Sequence, residues 1–451
     1  MPPATQPGVL WIRKKWNLEY NPFPAEAIAV LGGQDDRENG RLFHPEVQNE
    51  QFDEAIGKFV LGAVYNGQRF GALWSQSTAF DPDSRGYGKS VLLQYLSYYL
   101  NQDFGRSAFL QVGMDDSDAD DNPVCALLAS FDTAATKNLN SLFFSAVEYA
   151  ADFALHDEDQ TLYERLYDRF CQVAGTDDAA TLTEVCHDVY RRLKGRTLGS
   201  PDEKLLAALC AGESKAVQTY LDSVTSQKRS RSGSNFLATM LLFIRGAGVK
   251  KVMLFCDQLE DFASPQTPKK TRSLEVERFR DFIVELLPMA DMVSVVVTMH
   301  PRALASIEEF WQLADLPSLR VDEANRHTVV VMRPLENLDQ AKQLLSAYLN
   351  AARKHTAENQ SQMAPGAENR LGLAPFTEDA VEELWAHSTH KPRDLLRKAH
   401  KMVTYAAAEN LDVIDAAAVD AHLALLAASE DDVVGERPLS IDIMAPDFST
   451  E

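Results

Sequence analysis

Cysteine is scarce in this chain of 451 residues, which has five cysteines and no C-x-x-C pair. They stand at positions 125, 171, 186, 210 and 256. An odd and scattered set argues against a disulfide framework, and it offers no zinc-ligand spacing. Cys256 lies within an apolar run, which favours a buried and inert thiol.

Long apolar runs are also missing, so the sequence predicts no membrane-spanning helix. The first ten residues are rich in proline and lack the basic-then-apolar pattern of a signal peptide. A cytoplasmic protein without membrane contact is therefore expected.

Positive charge is in short supply, since 44 Lys and Arg face 66 Asp and Glu, for a net charge of -22. Such an acidic surface disfavours nonspecific contact with nucleic-acid backbones. Two short basic runs, 228–231 and 269–272, leave local DNA contact possible. Both are expected to be solvated loops.

The order of the apolar segments predicts an α/β fold around a parallel sheet. A strand, a polar loop and a helix follow one another over 70–75, 76–88 and 89–99, as in α/β units. Short apolar runs rich in valine suit strands that are buried on both faces. The further strands are expected at 107–113, 251–257, 291–298 and 327–332.

A large helical insertion is expected over 114–234, where no run reads as a strand. It begins with an acidic loop at 115–121 and ends in a flexible stretch at 226–234. Its helices are expected at 123–130, 139–155, 161–173, 180–193 and 203–224.

The remaining boundaries divide the chain around this insertion. Residues 1–55 form an N-terminal segment, and 56–113 together with 235–335 form the core. An all-helical domain is expected over 336–429, because Thr377 has the character of a helix N-cap with acids after it. The acidic tail over 430–451 is expected to be poorly ordered.

A glycine-rich segment carries the strongest chemical signal. Arg85-Gly86-Tyr87-Gly88-Lys89-Ser90 has glycines for a tight turn, a Lys for phosphate charge and a Ser for Mg²⁺. It predicts binding of a nucleoside triphosphate by all six residues. The match to G-x-x-x-x-G-K-[ST] is incomplete, because Asp83 stands at the first glycine. A surface loop is the alternative.

A second signal is the apolar run 251–257, which ends in Asp257. A nucleotide-bound Mg²⁺ requires an acid at the end of a neighbouring strand. The alternative is an acidic helix cap after a core strand. Both motifs follow apolar strands in the order that a nucleotide site requires.

With these motifs the chain resembles AAA+ and STAND-type P-loop ATPases. The resemblance is to the initiator-like branch with origin-recognition, secretion and transposition-regulator ATPases. Four segments between Asn21 and about Leu425 carry it, leaving the insertion aside. They are Asn21-Pro22-Phe23, which is similar to a segment near adenine; Gly86-x-Gly88-Lys89-Ser90 as Walker A; Leu254-Phe255-Cys256-Asp257-Gln258-Leu259-Glu260 as Walker B; and Ser388–Leu396 as the sensor 2 start of a lid helix, with His390 in place of Gly.

The resemblance implies a P-loop core, a helical lid, ATP and Mg²⁺. Lys89 is expected on the β/γ-phosphates, and Ser90 and Asp257 on the metal. Arg393 is expected to reach the γ-phosphate, the alternative being a helix-start Arg paired with a surface acid. Thr298 is expected to orient the attacking water, the alternative being an ordinary strand end.

The catalytic base is harder to assign. Most relatives place Glu directly after the Walker B Asp, whereas this chain has Gln258. Either Glu260 takes the proton, if the strand turns sharply, or Gln258 positions the water without taking it. Arg302 and Arg320 are candidates for an arginine finger supplied by a neighbouring subunit.

The expected function is an ATPase that couples nucleotide state to conformational change or assembly. The insertion is expected to recognise a partner protein, and a homo-oligomer is expected from the resemblance. The alternatives are a nucleotide-gated switch with little hydrolysis, or decayed motifs beside a plain interaction module.

Overall fold

The computed structural model describes residues 7–26, 29, 35, 37–75, 85–130, 138–152, 160–193, 200–259, 268–285, 291–298, 309, 312–313, 328–353 and 372–423. Its strands are β1 (Phe70–Ser75), β2 (Val124–Ser130), β3 (Lys251–Asp257), β4 (Val293–Thr298) and β5 (Val329–Met332). Up to β2 the α-helices are α1 (Pro7–Trp16), α2 (Asn49–Ala55), α3 (Gly62–Tyr65), α4 (Lys89–Gln102), α5 (Arg106–Gln111) and α6 (Asp116–Asp121). A 3₁₀ turn (Pro45–Gln48) precedes α2, and a π-helix (Ile56–Leu61) joins α2 to α3.

The helices between β2 and β3 are α7 (Leu139–Asp152), α8 (Leu162–Ala174), α9 (Ala179–Leu193), α10 (Glu203–Cys210), α11 (Ser214–Ser223) and α12 (Ser226–Gly246). The later helices are α13 (Lys269–Glu285), α14 (Leu338–Arg353), α15 (Glu378–Ala386) and α16 (Pro392–Ala408). Among the described residues, none of these helices has the length and hydrophobicity that a bilayer crossing demands.

The fold is α/β, with one five-stranded parallel sheet in the order β2-β3-β4-β1-β5. Alternate side chains of the central strands enter two separate hydrophobic cores. On β3, for example, Leu254 joins the core against α7 and α12, whereas Phe255 joins the core against α4. Burial on both faces explains why these strands are continuous apolar runs.

A third core belongs to the C-terminal helical unit, which consists of α14, α15 and α16. The N-terminal residues Ile12, Trp16 and Phe23 are buried in the same core. The indole N–H of Trp16 donates to the carbonyl of Asp412 at 2.9 Å. Part of the segment 1–55 therefore packs as a component of the C-terminal helical unit.

Two predicted elements were wrong in type. The run 107–113 is helical in α5, whose start is fixed by Asp103 accepting from the Ser107 N–H at 2.9 Å. Residues 123–130 contain strand β2 instead of a helix. A short apolar run has the same composition in a buried strand and in a buried helix, and pairing with β3 selects the strand.

The expected insertion also differs in detail. Its range 114–234 contributes β2 to the sheet, and 115–121 forms the short helix α6, which Asp115 caps. The expected helix 203–224 is broken after α10, where Gly212 has a φ of 76°. The stretch 226–234, expected to be flexible, lies in α12.

Both basic runs are helical where loops were expected. The run 228–231 lies in α12, and 269–272 begins α13. Lys228 pairs with Asp202 at 2.8 Å, and Arg229 pairs with Glu148 at 2.7 Å. The positive charge of the run 228–231 is therefore partly neutralised within the protein.

Candidate functional site

The glycine loop (Arg85–Ser90) leads from the end of β1 into α4. Gly86 and Gly88 have φ angles of 86° and 92°, which are favourable for glycine and strained for other residues. Gly88 is also the N-cap of α4, so the loop ends at a helix N-terminus, where the first backbone N–H groups have no acceptor within the helix. Such a loop and helix start can bind an anion.

Lys89 extends from the first turn of α4 back to the end of β1. Its ammonium donates to the hydroxyl of Ser75 at 2.8 Å. Ser75 is fully buried at the carboxyl end of the strand. The lysine charge is thereby held beside the loop, at the sheet edge where ligands of parallel α/β sheets bind.

Asp257 ends β3 at the same sheet edge and is almost completely buried. Its carboxylate accepts hydrogen bonds from the hydroxyls of Thr298 and Ser90. A serine from the loop and an acid from a neighbouring strand therefore lie together, as a Mg²⁺ site in a P-loop protein requires.

The charge state of Asp257 reflects opposing effects. Burial is the largest and raises the pKa of its carboxyl above the ordinary value. Hydrogen bonds from Thr298 and Ser90, followed by the charge of Lys89, lower this pKa and offset part of the rise. The anion is thus stabilised by its neighbours but would gain further from a cation.

Sheet order explains how Thr298 reaches this carboxylate. Strand β4 lies between β1 and β3, so its last residue lies between the glycine loop and Asp257. The Thr298 hydroxyl also accepts from the N–H of Gln258 at 2.9 Å. Gln258 has a φ of 55°, a strained value for a residue other than glycine. The Thr298 hydroxyl therefore contacts both the Asp257 carboxylate and the backbone of the next residue.

The start of α16 lies directly on the glycine loop. The N–H of Arg393 donates to the carbonyl of Gly86 at 3.2 Å. A Cβ added at Gly86 would lie 2.9 Å from the Cβ of Arg393, so only glycine allows this approach. The Arg393 guanidinium donates to the carbonyl of Glu26 at 3.2 Å. It forms no ion pair with an acid among the residues that the structure describes.

His390 stands where the resemblance led us to expect glycine, and its backbone has a conformation that favours glycine. Its φ is 60°, in the left-handed region. The imidazole stacks on the ring of Trp385, with centroids 3.9 Å apart and planes at 6°. This stacking offsets part of the energetic cost of a left-handed backbone at His390, so the turn into α16 forms without glycine.

The glycine loop and the strand and helix ends around it line one cavity of about 390 Å³, which is within the usual size range of small-molecule sites. All six residues of the glycine loop line it, together with Asp257, Gln258, Thr298 and Arg393. Apolar residues supply much of the remaining lining, namely Pro24, Ala29, Leu42, Phe43, Val47, Leu344, Tyr348 and Leu396, and the polar residues Arg37, His44 and Gln48 also line the cavity.

The segment Asn21-Pro22-Phe23, expected near an adenine, directly precedes a residue that lines the cavity. Phe23 itself is fully buried in the core of the C-terminal helical unit. The carbonyl of Phe23 contacts His400 Nδ1 at 2.7 Å, and the next residue, Pro24, lines the cavity.

Some predicted residues lie outside the described part of the chain: Glu260, Asp83, Arg302 and Arg320. Other residues of the site were missed by sequence reasoning: Gln48 and Tyr348, which line the cavity, and Ser75, which accepts from Lys89. Ser75 could have been considered as the last residue of a strand before a glycine loop. Gln48 and Tyr348 have no local signal, because distant helices bring them to the site.

No protein-family model matches the chain, and no curated protein matches it at a significant level. Function is therefore argued from the motifs and from the geometry of this cavity.

Proposed function

We propose that this protein binds ATP with Mg²⁺ in the cavity at the glycine loop and hydrolyses it to drive conformational change or assembly. One observation carries the proposal. Lys89, Ser90, Asp257, Thr298 and Arg393 come from four separate parts of the chain and converge on one cavity that also has a large apolar lining. That combination suits a polyphosphate joined to a planar base.

The polar and the apolar residues of the lining would contact different parts of the ligand. The Lys89 ammonium and the start of α4 favour anionic oxygens. Mg²⁺ would be held by Ser90 and Asp257 and would neutralise phosphate charge. The apolar lining residues, among them Leu344 and Tyr348, would exclude water from a base.

Coupling to conformation follows from the contact between the glycine loop and α16. Arg393 begins α16 and lines the cavity, so a γ-phosphate would interact with the C-terminal helical unit as well as with the sheet. The unit would act as a lid. The helices between β2 and β3 would carry the surface that recognises a partner protein or another copy of the chain.

A switch with little hydrolysis is the second candidate. It is favoured by Gln258, which follows Asp257 directly and lines the cavity. An amide positions water but does not accept its proton as a carboxylate does. A protein of this kind would bind and release ATP without rapid turnover.

Calorimetric titration with Mg²⁺-ATP tests the binding step. Lys89→Ala is expected to weaken binding about tenfold to a hundredfold, because charge-assisted hydrogen bonds contribute roughly 1.5–3 kcal/mol. Lys401→Ala, on an exposed face of α16, is the matched control and is expected to bind as wild type does. Absence of ATP binding by the wild type would refute the proposal.

Phosphate release under saturating ATP separates the two candidates. For an ATPase, Glu260→Gln is expected to reduce release at least about a hundredfold while ATP binding is retained. For a switch, wild type and Glu260→Gln are expected to be equally slow. In that case Gln258→Glu, which introduces a carboxylate beside Asp257, is expected to raise the rate.

A further inference from the structure

Tyr87, between the two glycines of the loop, is contacted from two sides by groups outside the sheet. Its carbonyl accepts from the side chain of Gln48, at the end of the 3₁₀ turn. The Lys391 ammonium, at the start of α16, lies 5.0 Å from the centre of its ring. Neither contact belongs to the expected phosphate-binding motif.

Gln48 joins three parts of the chain. Its side-chain amide lies 3.4 Å from the carbonyl of Tyr87 and 3.4 Å from the carbonyl of Arg333, in the link from β5 to α14. Gln48 is only 6% exposed, so these carbonyls replace water as its partners. A Cβ at Gly88 would lie 3.4 Å from the Gln48 oxygen, which shows how closely this side chain follows the loop.

Lys391 contacts Tyr87 through its aromatic ring. Tyr87 is 5% exposed, and its side chain packs in the core between α4 and the sheet. A cation within about 6 Å of an aromatic face is attracted to it. The contact therefore attaches the C-terminal helical unit to a residue that is anchored in the sheet core.

These contacts fix two peptide planes of the loop. In a trans peptide the carbonyl of one residue and the N–H of the next point in opposite directions. The Gly86 carbonyl is held by the Arg393 N–H, which fixes the N–H of Tyr87. The Tyr87 carbonyl is held by Gln48, which fixes the N–H of Gly88. Consecutive backbone N–H groups of this kind form anion-binding concavities.

We propose that Gln48 and Lys391 are positioning residues, which hold Tyr87 so that the loop N–H groups are oriented for a polyphosphate. Phosphate affinity then depends on docking of the C-terminal helical unit against the loop. The inference rests on the proposed ATP site and adds its regulation: undocking of α16 lowers phosphate affinity, and release of phosphate loosens α16.

Comparison of ATP with adenosine tests the role of Gln48. Gln48→Met keeps the side-chain length and removes the amide, and it is expected to weaken ATP binding about fivefold while adenosine affinity is unchanged. Gln51→Met is the matched control, since Gln51 is similarly buried in the next helical turn. An unchanged ratio of ATP to adenosine affinity in Gln48→Met would overturn the inference.

A double-mutant cycle tests Lys391. Lys391→Met is expected to weaken ATP binding about threefold in the wild type and to have no effect in a Tyr87→Leu background, because the ring is its partner. Equal losses in both backgrounds would mean that Lys391 acts on the phosphates directly. Lys401→Met is the matched change on an exposed face of the same helix.

Amide hydrogen exchange of the peptide 85–90 tests positioning without any nucleotide. Gln48→Met and Lys391→Met are each expected to speed exchange of this peptide several-fold, whereas the two control variants are not. Unchanged exchange would refute the positioning role even if ATP binds. Faster exchange in a protein that binds no ATP would refute the proposed function and leave loop positioning by these residues supported.

Discussion

The buried carboxylate of Asp257 lowers the stability of the fold, although the proposed Mg²⁺ site requires it. Its carboxyl is buried, and the resulting desolvation outweighs the help of Thr298, Ser90 and Lys89, so its pKa is raised. A raised pKa means that the folded state binds the proton more tightly than the unfolded state does. The contribution to stability is therefore greatest below the ordinary Asp pKa and is lost as pH rises through the folded pKa.

Asp257→Asn is accordingly expected to raise the thermal midpoint at pH 7, because it removes the cost of ionising a buried carboxyl. The gain should become much smaller near about pH 3, because the carboxyl is then largely protonated in the unfolded state as well as in the folded state. Thermal unfolding at the two pH values measures it, with the exposed Asp168→Asn as control. A lower midpoint at pH 7 would contradict the expectation.

At the scale of elements, the packing of α12 on α7 depends on one glycine. Gly233 is buried at a kink in α12, where Ser232 leaves the helical conformation. A Cβ at Gly233 would overlap the backbone carbonyl of Asn140, in α7. The side chain of Asn140 accepts from the N–H of Ser234 at 3.0 Å, so the close approach is also hydrogen-bonded.

Gly233→Ala is expected to lower the free energy of unfolding by about 1–3 kcal/mol or more, because backbone must shift to admit the methyl group. Chemical denaturation gives this value. Gly57→Ala is the matched control: an added Cβ there meets nothing within 4 Å. Its effect should lie within about 1 kcal/mol of zero, with stabilisation favoured. Equal effects of the two substitutions would argue against close packing at the kink.

At the scale of the whole molecule, helix α1 and the residues after it pack on the C-terminal helical unit. Trp11 and Trp16 of α1 donate to the carbonyls of Leu411 and Asp412, and Asn21 donates to the carbonyl of His400. The chain then passes the cavity at Pro24 before it enters the sheet domain. The N-terminal segment is thus a second connection between the helical unit and the sheet.

Trp16→Ala is therefore expected to destabilise the C-terminal helical unit by about 3–5 kcal/mol, the usual cost of removing a buried aromatic side chain. Hydrogen exchange should increase in α14 and α16 and stay unchanged in β3. Lys14→Ala, on the exposed side of α1, should leave both regions as they are. Unchanged exchange in α16 would show that the segment does not support the unit.

Local patterns in the sequence determined much of the sheet and part of the site. The bounds of β1 and β3 were predicted as they occur, and the helix that begins at Lys89 was predicted to start there. These features have short-range causes: apolar runs bounded by polar residues, and glycines that precede a helix N-terminus. The resemblance also identified Arg393, and the structure brings it to the same cavity as Lys89.

The tertiary structure decided what those patterns leave open. Residues 124–130 form a strand because β3 offers them a parallel partner, whereas 106–111 form a helix whose Phe109 is buried in the core that α4 shares, while Leu110 faces solvent. Ser75 and Gln48 reach the loop from 14 and 39 positions away, respectively. Sequence periodicity reports which side of an element is apolar, but the partner that covers it is chosen by packing across the whole chain.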